Sequence, residues 1–244
     1  MEKLFIANFK MNKTTSEIEK YISEFQKLLP TIYKNKIVLC VPYCALGLNK
    51  TERICLGAQN VFEEEKGSFT GEISAEMLKD LGAEYVLVGH SERRKHFHET
   101  NQNVNKKIKL LLKHGLKVVL CVGEKRAERN SGKTNQILKT QIEEALCGIY
   151  ENELSSIIIA YEPVWAIGTG KVATNADIYN ATKLIKDIIS SHYSQKAGNS
   201  QKIVYGGSIN STNSKLILQT TGITGLLVGG ASLCPKEFSK IVIS

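Results

Sequence analysis

The chain has 244 residues, 42% hydrophobic and 23% charged, with 32 Lys and Arg against 24 Asp and Glu for a formal charge of +8. That length suits one α/β barrel, and the composition excludes a disordered, collagen-like or small disulfide-stapled chain. The basic residues are scattered, with no block of five like charges, zinc-finger spacing or arginine-rich arm, so the excess reads as solvated surface, compatible with drawing in an anionic substrate, and no nucleic-acid partner is expected.

Met1-Glu2-Lys3 leads into an apolar run at residues 4–7, too short for a signal peptide or a membrane span, so a cytoplasmic protein without a membrane partner is expected. The six cysteines lie mostly in apolar runs and read as reduced thiols. Asn8-Phe9-Lys10-Met11-Asn12 follows that first run. A lysine just past a strand can hold an anion and stabilise a developing oxyanion, or can be a solvated loop residue. Ile18, Tyr21, Ile22, Phe25, Leu28 and Leu29 then share one helical face, with Ser16 and Glu19 as a capping box and Pro30 as the stop.

Further short apolar runs fall at 37–41, 54–58 and 85–88. The last ends in Gly89-His90-Ser91-Glu92, where the histidine is either an electrophile or acid, or a core residue bonded to backbone. His96 and His98 lack further ligands nearby, so no metal is expected. A helix on Val104, Ile108, Leu111 and Leu112 ends at Gly115, and the run 117–122 follows. A third helical stripe, Leu138 to Ile149, precedes the run 157–161.

That sixth run delivers Glu162 and an apolar, glycine-bearing stretch to Lys171. Such a loop can close over a carboxylate, exclude water and tune it upward into a base; the plainer reading is a salt-bridged glutamate under a rigid loop. Ile178, Ala181, Ile185, Ile188 and Ile189 form a fourth helix capped by Thr174, and residues 194–201 read as a surface loop. The runs 202–205 and 225–228 end in Gly206-Gly207-Ser208 and Gly229-Gly230-Ala231-Ser232. Paired glycines after the last two strands of a barrel suit a phosphate, which backbone N–H groups can approach closely. Eight apolar runs separated by helical patterns predict a single-domain, closed (β/α)8 barrel over residues 1–244, though the pattern alone also fits an open doubly wound sheet.

Together, residues 8–12, 59–60, 70–74, 90–94, 121–124, 161–171, 205–208 and 227–233 resemble the triosephosphate isomerase family, in the same order and across nearly the whole chain. The resemblance implies a TIM barrel that interconverts dihydroxyacetone phosphate and D-glyceraldehyde 3-phosphate without a cofactor, in glycolysis and gluconeogenesis. It implies that Glu162 is the base, that neutral His90 polarises the carbonyl, that Lys10 supplies charge and that Asn8 positions substrate oxygens. Residues 163–173 become a lid, and the N–H groups of Gly168, Ser208, Gly229 and Gly230 grip the phosphate. Glu92 is a second acidic group beside His90.

The resemblance further implies a homodimer through the loop 61–72, which begins at Val61 and ends at Glu72, with Thr70 reaching the partner's site. Phe69 suits an interface anchor or is simply an exposed aromatic. Phe9, His98, Asn175 and Thr224 depart from the family's usual residues, none at a position given a chemical role. The neighbouring readings are another phosphate-binding barrel isomerase or epimerase, and a basic-surface binding protein without activity. No dinucleotide fingerprint or GxxxxGK[ST] loop is present.

Overall fold

Short β-branched runs flanked by polar turns form eight strands in a computed structural model that describes residues 2–48, 53–167 and 172–244. They are β1 (Leu4–Asn8), β2 (Lys36–Val41), β3 (Ile54–Ala58), β4 (Tyr85–Val88), β5 (Lys117–Val122), β6 (Ile157–Tyr161), β7 (Ile203–Gly206) and β8 (Gly225–Val228). Every neighbouring pair is parallel, and β8 pairs with β1, so the sheet is a closed barrel. Alternation across the strands makes two cores. Ile6, Val38, Leu87, Val119, Ile158 and Leu227 belong to a cluster inside the barrel. Phe5, Ile37, Leu39, Val118, Ile159 and Leu226 belong to a larger one against the helices. Burial on both faces is why the runs are apolar throughout.

The helices are α1 (Thr15–Leu28), α2 (Ala75–Asp80), α3 (Ser91–His96), α4 (Asn101–Lys113), α5 (Arg126–Asn130), α6 (Thr134–Ala145), α7 (Asn175–His192), α8 (Gln195–Ser200), α9 (Ser214–Leu218) and α10 (Pro235–Ile243). The amphipathic stripe of α1 buries Ile18, Tyr21, Ile22 and Phe25. Phe9 fills the space beneath it, edge-on to Tyr21 at 4.9 Å between ring centroids.

Several details differ from the sequence reading, among them one-residue extensions of β1 to Asn8 and of β2 back to Lys36. The capping box of α1 is Thr14 with Glu17, two residues earlier than expected, and the earlier start adds part of a turn to the helix. Residues 194–201 are not a loop: Ser194 caps α8, whose Ala197 and Gly198 are buried. Gly198 lies so close to Ser190 of α7 that a Cβ would overlap its hydroxyl, and this tight packing holds a short, weakly amphipathic helix that has no strong apolar stripe. β7 begins and ends one residue later than the predicted run. Between β2 and β3 the described residues form only a 3-10 turn, Tyr43–Ala45, so the strand–helix alternation is interrupted there.

Parallel strands place all their C-terminal ends at one mouth. Asn8 ends β1, while His90, Glu162, Gly207 and Gly229 lie one or two residues beyond β4, β6, β7 and β8.

Candidate active site

At this mouth Asn8, Lys10, His90, Glu162, Ser208, Gly229 and Gly230 line one cavity of about 280 Å³. Each strand contributes a short polar tip on a rigid apolar stem, which fixes the side chains relative to one another. Asn8 is buried and its Oδ1 accepts the Lys10 N–H at 3.0 Å. Lys10 has φ +52°, uncommon for a residue with a side chain. The Gln59 amide donates to the Lys10 carbonyl at 2.9 Å and to the Cys40 carbonyl at 3.1 Å, bracing that turn. The Lys10 ammonium meets Glu92 Oε1 at 2.5 Å.

His90 is the N-cap of α3, and its Nδ1 accepts the Glu92 N–H at 3.2 Å. A ring nitrogen engaged as an acceptor leaves the proton on Nε2, which faces Glu162 Oε1 at 3.3 Å. Burial works to lower the pKa of His90, but the Glu162 carboxylate outweighs it and the net direction is upward. Burial likewise works to raise Glu162, but His90, the Cys121 thiol and Lys10 together bring it below the ordinary value. The upward tuning expected from burial is therefore overridden while carboxylate and imidazole touch. Glu162 Oε2 has no hydrogen-bond partner among the described residues.

Two glycines permit this placement. A Cβ on Gly123 would fall within the Glu162 backbone carbonyl, and one on Gly206 would sit 3.0 Å from Glu162 Cγ. Gly123→Ala is expected to push the ends of β5 and β6 apart, at a cost of about 1–3 kcal/mol. Thermal unfolding measures this as a fall in Tm of several degrees, with lower turnover at temperatures where the variant stays folded.

The side of the cavity formed by Gly229 and Gly230 is open. Gly229 lies beside the Lys10 ammonium, with a Cβ there 3.9 Å from Nζ, and nothing lies within 4 Å of a Cβ on Gly230. The Ser208 hydroxyl donates to the Ala166 carbonyl at 2.6 Å, tying the loop after β7 to the stretch after β6. That stretch is anchored by Trp165, whose indole N–H donates to Glu124 Oε1 at 2.7 Å. Arg129 lies 4.2 Å from the Trp165 ring centre and pairs with Asp177 at 2.8 Å. Gly168, expected to grip the phosphate, lies with residues 169–171 outside the described residues.

Thr70 is exposed on the loop 61–72 and lines neither the cavity nor the depression beside it. Within one chain it is therefore not brought to the other site residues.

Three supporting groups were not singled out from the sequence. Gln59 braces Lys10. Buried Glu124 accepts from Tyr161 and Trp165. Buried Glu99 accepts the Gly89 N–H at 3.0 Å and pairs with Arg93 and with buried Lys107, steadying the turn that presents His90. A Glu and a Lys eight positions apart carry no motif, so only the fold reveals the last pair.

A buried carboxylate facing an imidazole N–H, with an ammonium to one side and open backbone beyond, can move a proton at a carbon next to a carbonyl. The family model described as triosephosphate isomerase matches residues 3–244. Among curated relatives, the triosephosphate isomerase of Dictyoglomus turgidum is 46% identical over 99% of both chains. That of Dictyoglomus thermophilum is 47% identical over 99% of both, and that of Aquifex aeolicus 45% identical over 100% of both.

Proposed function

The chain belongs to the triosephosphate isomerase family and is an aldose–ketose isomerase, and we propose that the cavity residues just described carry the reaction between dihydroxyacetone phosphate and D-glyceraldehyde 3-phosphate. Glu162, as carboxylate, takes the proton from the carbon beside the carbonyl. The His90 Nε2–H donates to the carbonyl oxygen as charge builds there, and serves the two oxygens of the enediol(ate) in turn. Lys10 supplies fixed positive charge, Asn8 and Glu92 set its position, and the N–H groups of Gly168, Ser208, Gly229 and Gly230 hold the phosphate. Substrate entering between Glu162 and His90 separates them, removing the contact that lowers the carboxylate's pKa while leaving its burial. The base thus strengthens as substrate binds.

The observation that carries this reading is the 3.3 Å approach of His90 Nε2 to Glu162 in a cavity of about 280 Å³. The cavity takes a small sugar phosphate, and closure of the lid over three carbons is what would exclude a five-carbon chain. The test compares turnover of triose and pentose phosphates by purified protein supplied with no metal or nucleotide. Fast triose isomerisation with no pentose turnover is expected; comparable pentose turnover would assign the site to another phosphate-binding barrel activity.

The active unit in this reading is a homodimer of one-domain chains, 1–244, in the cytoplasm. Beside the cavity lies a depression of about 680 Å³ lined by Met11, Tyr43, Gln59 and Phe97, of which Met11 is 96% and Phe97 66% exposed. The loop 61–72 presents Phe69, 43% exposed and packed on Phe62 at 4.6 Å. Seating that loop in a neighbour's depression would cover these apolar groups and carry Thr70 toward the neighbour's Lys10. Phe69→Asp is expected to weaken the dimer by about 30-fold or more, the loss typical of a buried aromatic anchor. Sedimentation velocity would show a monomer at micromolar concentration, with isomerase activity falling alongside. The cytoplasmic assignment is supported by six free cysteines and by the absence, among the described residues, of any helix long and apolar enough to cross a membrane.

A further inference from the structure

The far end of the barrel holds a second concave site. Lysines stand at or just before the starts of four strands: Lys3 before β1, Lys36 in β2, Lys117 in β5 and Lys202 before β7. Backbone pairing fixes their level, because Lys36 N–H donates to the Lys3 carbonyl and Ile159 N–H to the Lys202 carbonyl. With Lys186 of α7 they line a cavity of about 630 Å³, more than twice the volume of the catalytic one and within the range of small-molecule sites. One carboxylate, Glu2, shares the lining.

Part of this charge has a structural use. The Lys3 ammonium donates to the carbonyls of Leu218 and Ile223, and that of Lys186 to the Asn199 carbonyl. Those bonds satisfy carbonyl groups but neutralise nothing. Lys117 donates weakly to the Tyr85 hydroxyl and lies 5.0 Å from the centre of its ring. Lys36 lies 3.9 Å from Glu84. Among the described residues no carboxylate lies within ion-pair distance of Lys3, Lys117, Lys186 or Lys202. Some lysines elsewhere on the surface, such as Lys106, Lys113 and Lys183, are paired with carboxylates, while others among the described residues, such as Lys20 and Lys236, are not. What sets Lys3, Lys117, Lys186 and Lys202 apart is that they line one depression. Unneutralised lysines drawn into one depression repel one another, and an anion carrying several charges relieves that repulsion.

We propose that this cavity is a binding site for a small polyphosphate, a molecule with three or more linked phosphate charges, separate from the catalytic mouth. A single phosphate meets only part of the ring, whereas a chain of phosphates reaches several lysines. The recess favours a compact ligand over a nucleic-acid duplex or a membrane surface, which present extended faces that do not enter it.

The test is calorimetric titration with inorganic tripolyphosphate. Four proteins are compared: wild type, Lys117→Glu/Lys202→Glu, a charge-matched Lys139→Glu/Lys183→Glu outside the cavity, and Gly229→Asp at the catalytic mouth. Binding is expected in wild type and to weaken with added salt. It is expected to fall about tenfold or more in the first variant, the scale of losing charge-assisted hydrogen bonds, and to persist in the other two. Isomerase turnover near wild type in the first variant shows that it is folded; if it does not fold, Lys117→Gln/Lys202→Gln replaces it. No binding by wild type overturns the proposal. So does equal loss in the charge-matched variant, which would mean unlocalised net charge, or loss in Gly229→Asp, which would mean tripolyphosphate sits at the catalytic mouth. A single-stranded oligonucleotide that binds as tightly and is lost with the same lysines would also overturn it, in favour of a nucleic-acid surface.

Discussion

Glu162→Gln is expected to lower kcat by about three orders of magnitude while KM stays within about tenfold of wild type. The substitution keeps the shape of a side chain that is 5% exposed and packs on Gly206, so the site does not collapse. It removes the negative charge and the ability to accept a proton from carbon. The amide oxygen can still accept from His90 Nε2–H, which keeps the imidazole in place. Steady-state kinetics in both directions is the measurement, and kcat is expected to fall in both because one base serves both halves of the proton transfer. The two kcat/KM values fall by the same factor whatever the cause, since their ratio is fixed by the equilibrium constant. A loss confined to KM would mean that Glu162 only binds substrate. A pH titration of 13C-labelled glutamate carboxyls, with the variant identifying the signal, adds a second reading. In the free protein Glu162 is expected to titrate below its ordinary value of 4.5. Its carboxylate form, the one that acts as base, therefore persists throughout the neutral range.

How much of this was legible beforehand follows from how local each signal is. Four of the strands whose ends matter most, β4, β5, β6 and β8, begin and end where their runs do, because burial on both faces keeps them apolar, apart from exposed Lys117 at the start of β5. Helix ends were less legible. Ser16 and Glu19 have the spacing of a capping box, but so do Thr14 and Glu17, and the choice between them rests on where the helix meets the barrel. Residues 194–201 look polar because α8 buries small residues against α7, which a search for large apolar side chains misses.

Within the site, Lys10, His90 and Glu162 could be singled out because each lies within three residues of the end of an apolar run, whereas Asn8 was named only through the family resemblance. Their mutual distances could not be read, since they come from the ends of three strands, β1, β4 and β6. Nor could the direction of the Glu162 pKa. Burial alone points upward, and only the 3.3 Å contact with His90 and the nearby Cys121 and Lys10 reverse it. Glu99, Gln59 and Glu124 act through other residues, so their roles exist only in three dimensions.

Lys10→Met is expected to reduce kcat/KM by about 10²- to 10³-fold, with both kcat and KM affected. The ammonium sits between the two places where negative charge must be held. On one side a Cβ on Gly229 would be 3.9 Å away, in the loop proposed to hold the phosphate. On the other side the cavity wall is His90 and Glu162, where in the proposed reaction the enediolate oxygens would form. Losing it weakens the ground-state grip on phosphate, which raises KM, and removes charge from the developing oxyanion, which lowers kcat. Stability should change little. The Lys10–Glu92 pair is 29% and 44% exposed by side chain, so water solvates Glu92 once its partner is gone and no buried charge is stranded. The backbone turn at φ +52° is held by Asn8 and Gln59 through main-chain atoms that the substitution leaves in place. Glu92→Gln separates position from charge: it keeps the ammonium and removes its ionic partner, so a loss of less than about tenfold in kcat/KM is expected. If the two variants lost activity equally, the ion pair as a unit would be what the reaction needs, and the free charge of Lys10 would not be the source of stabilisation.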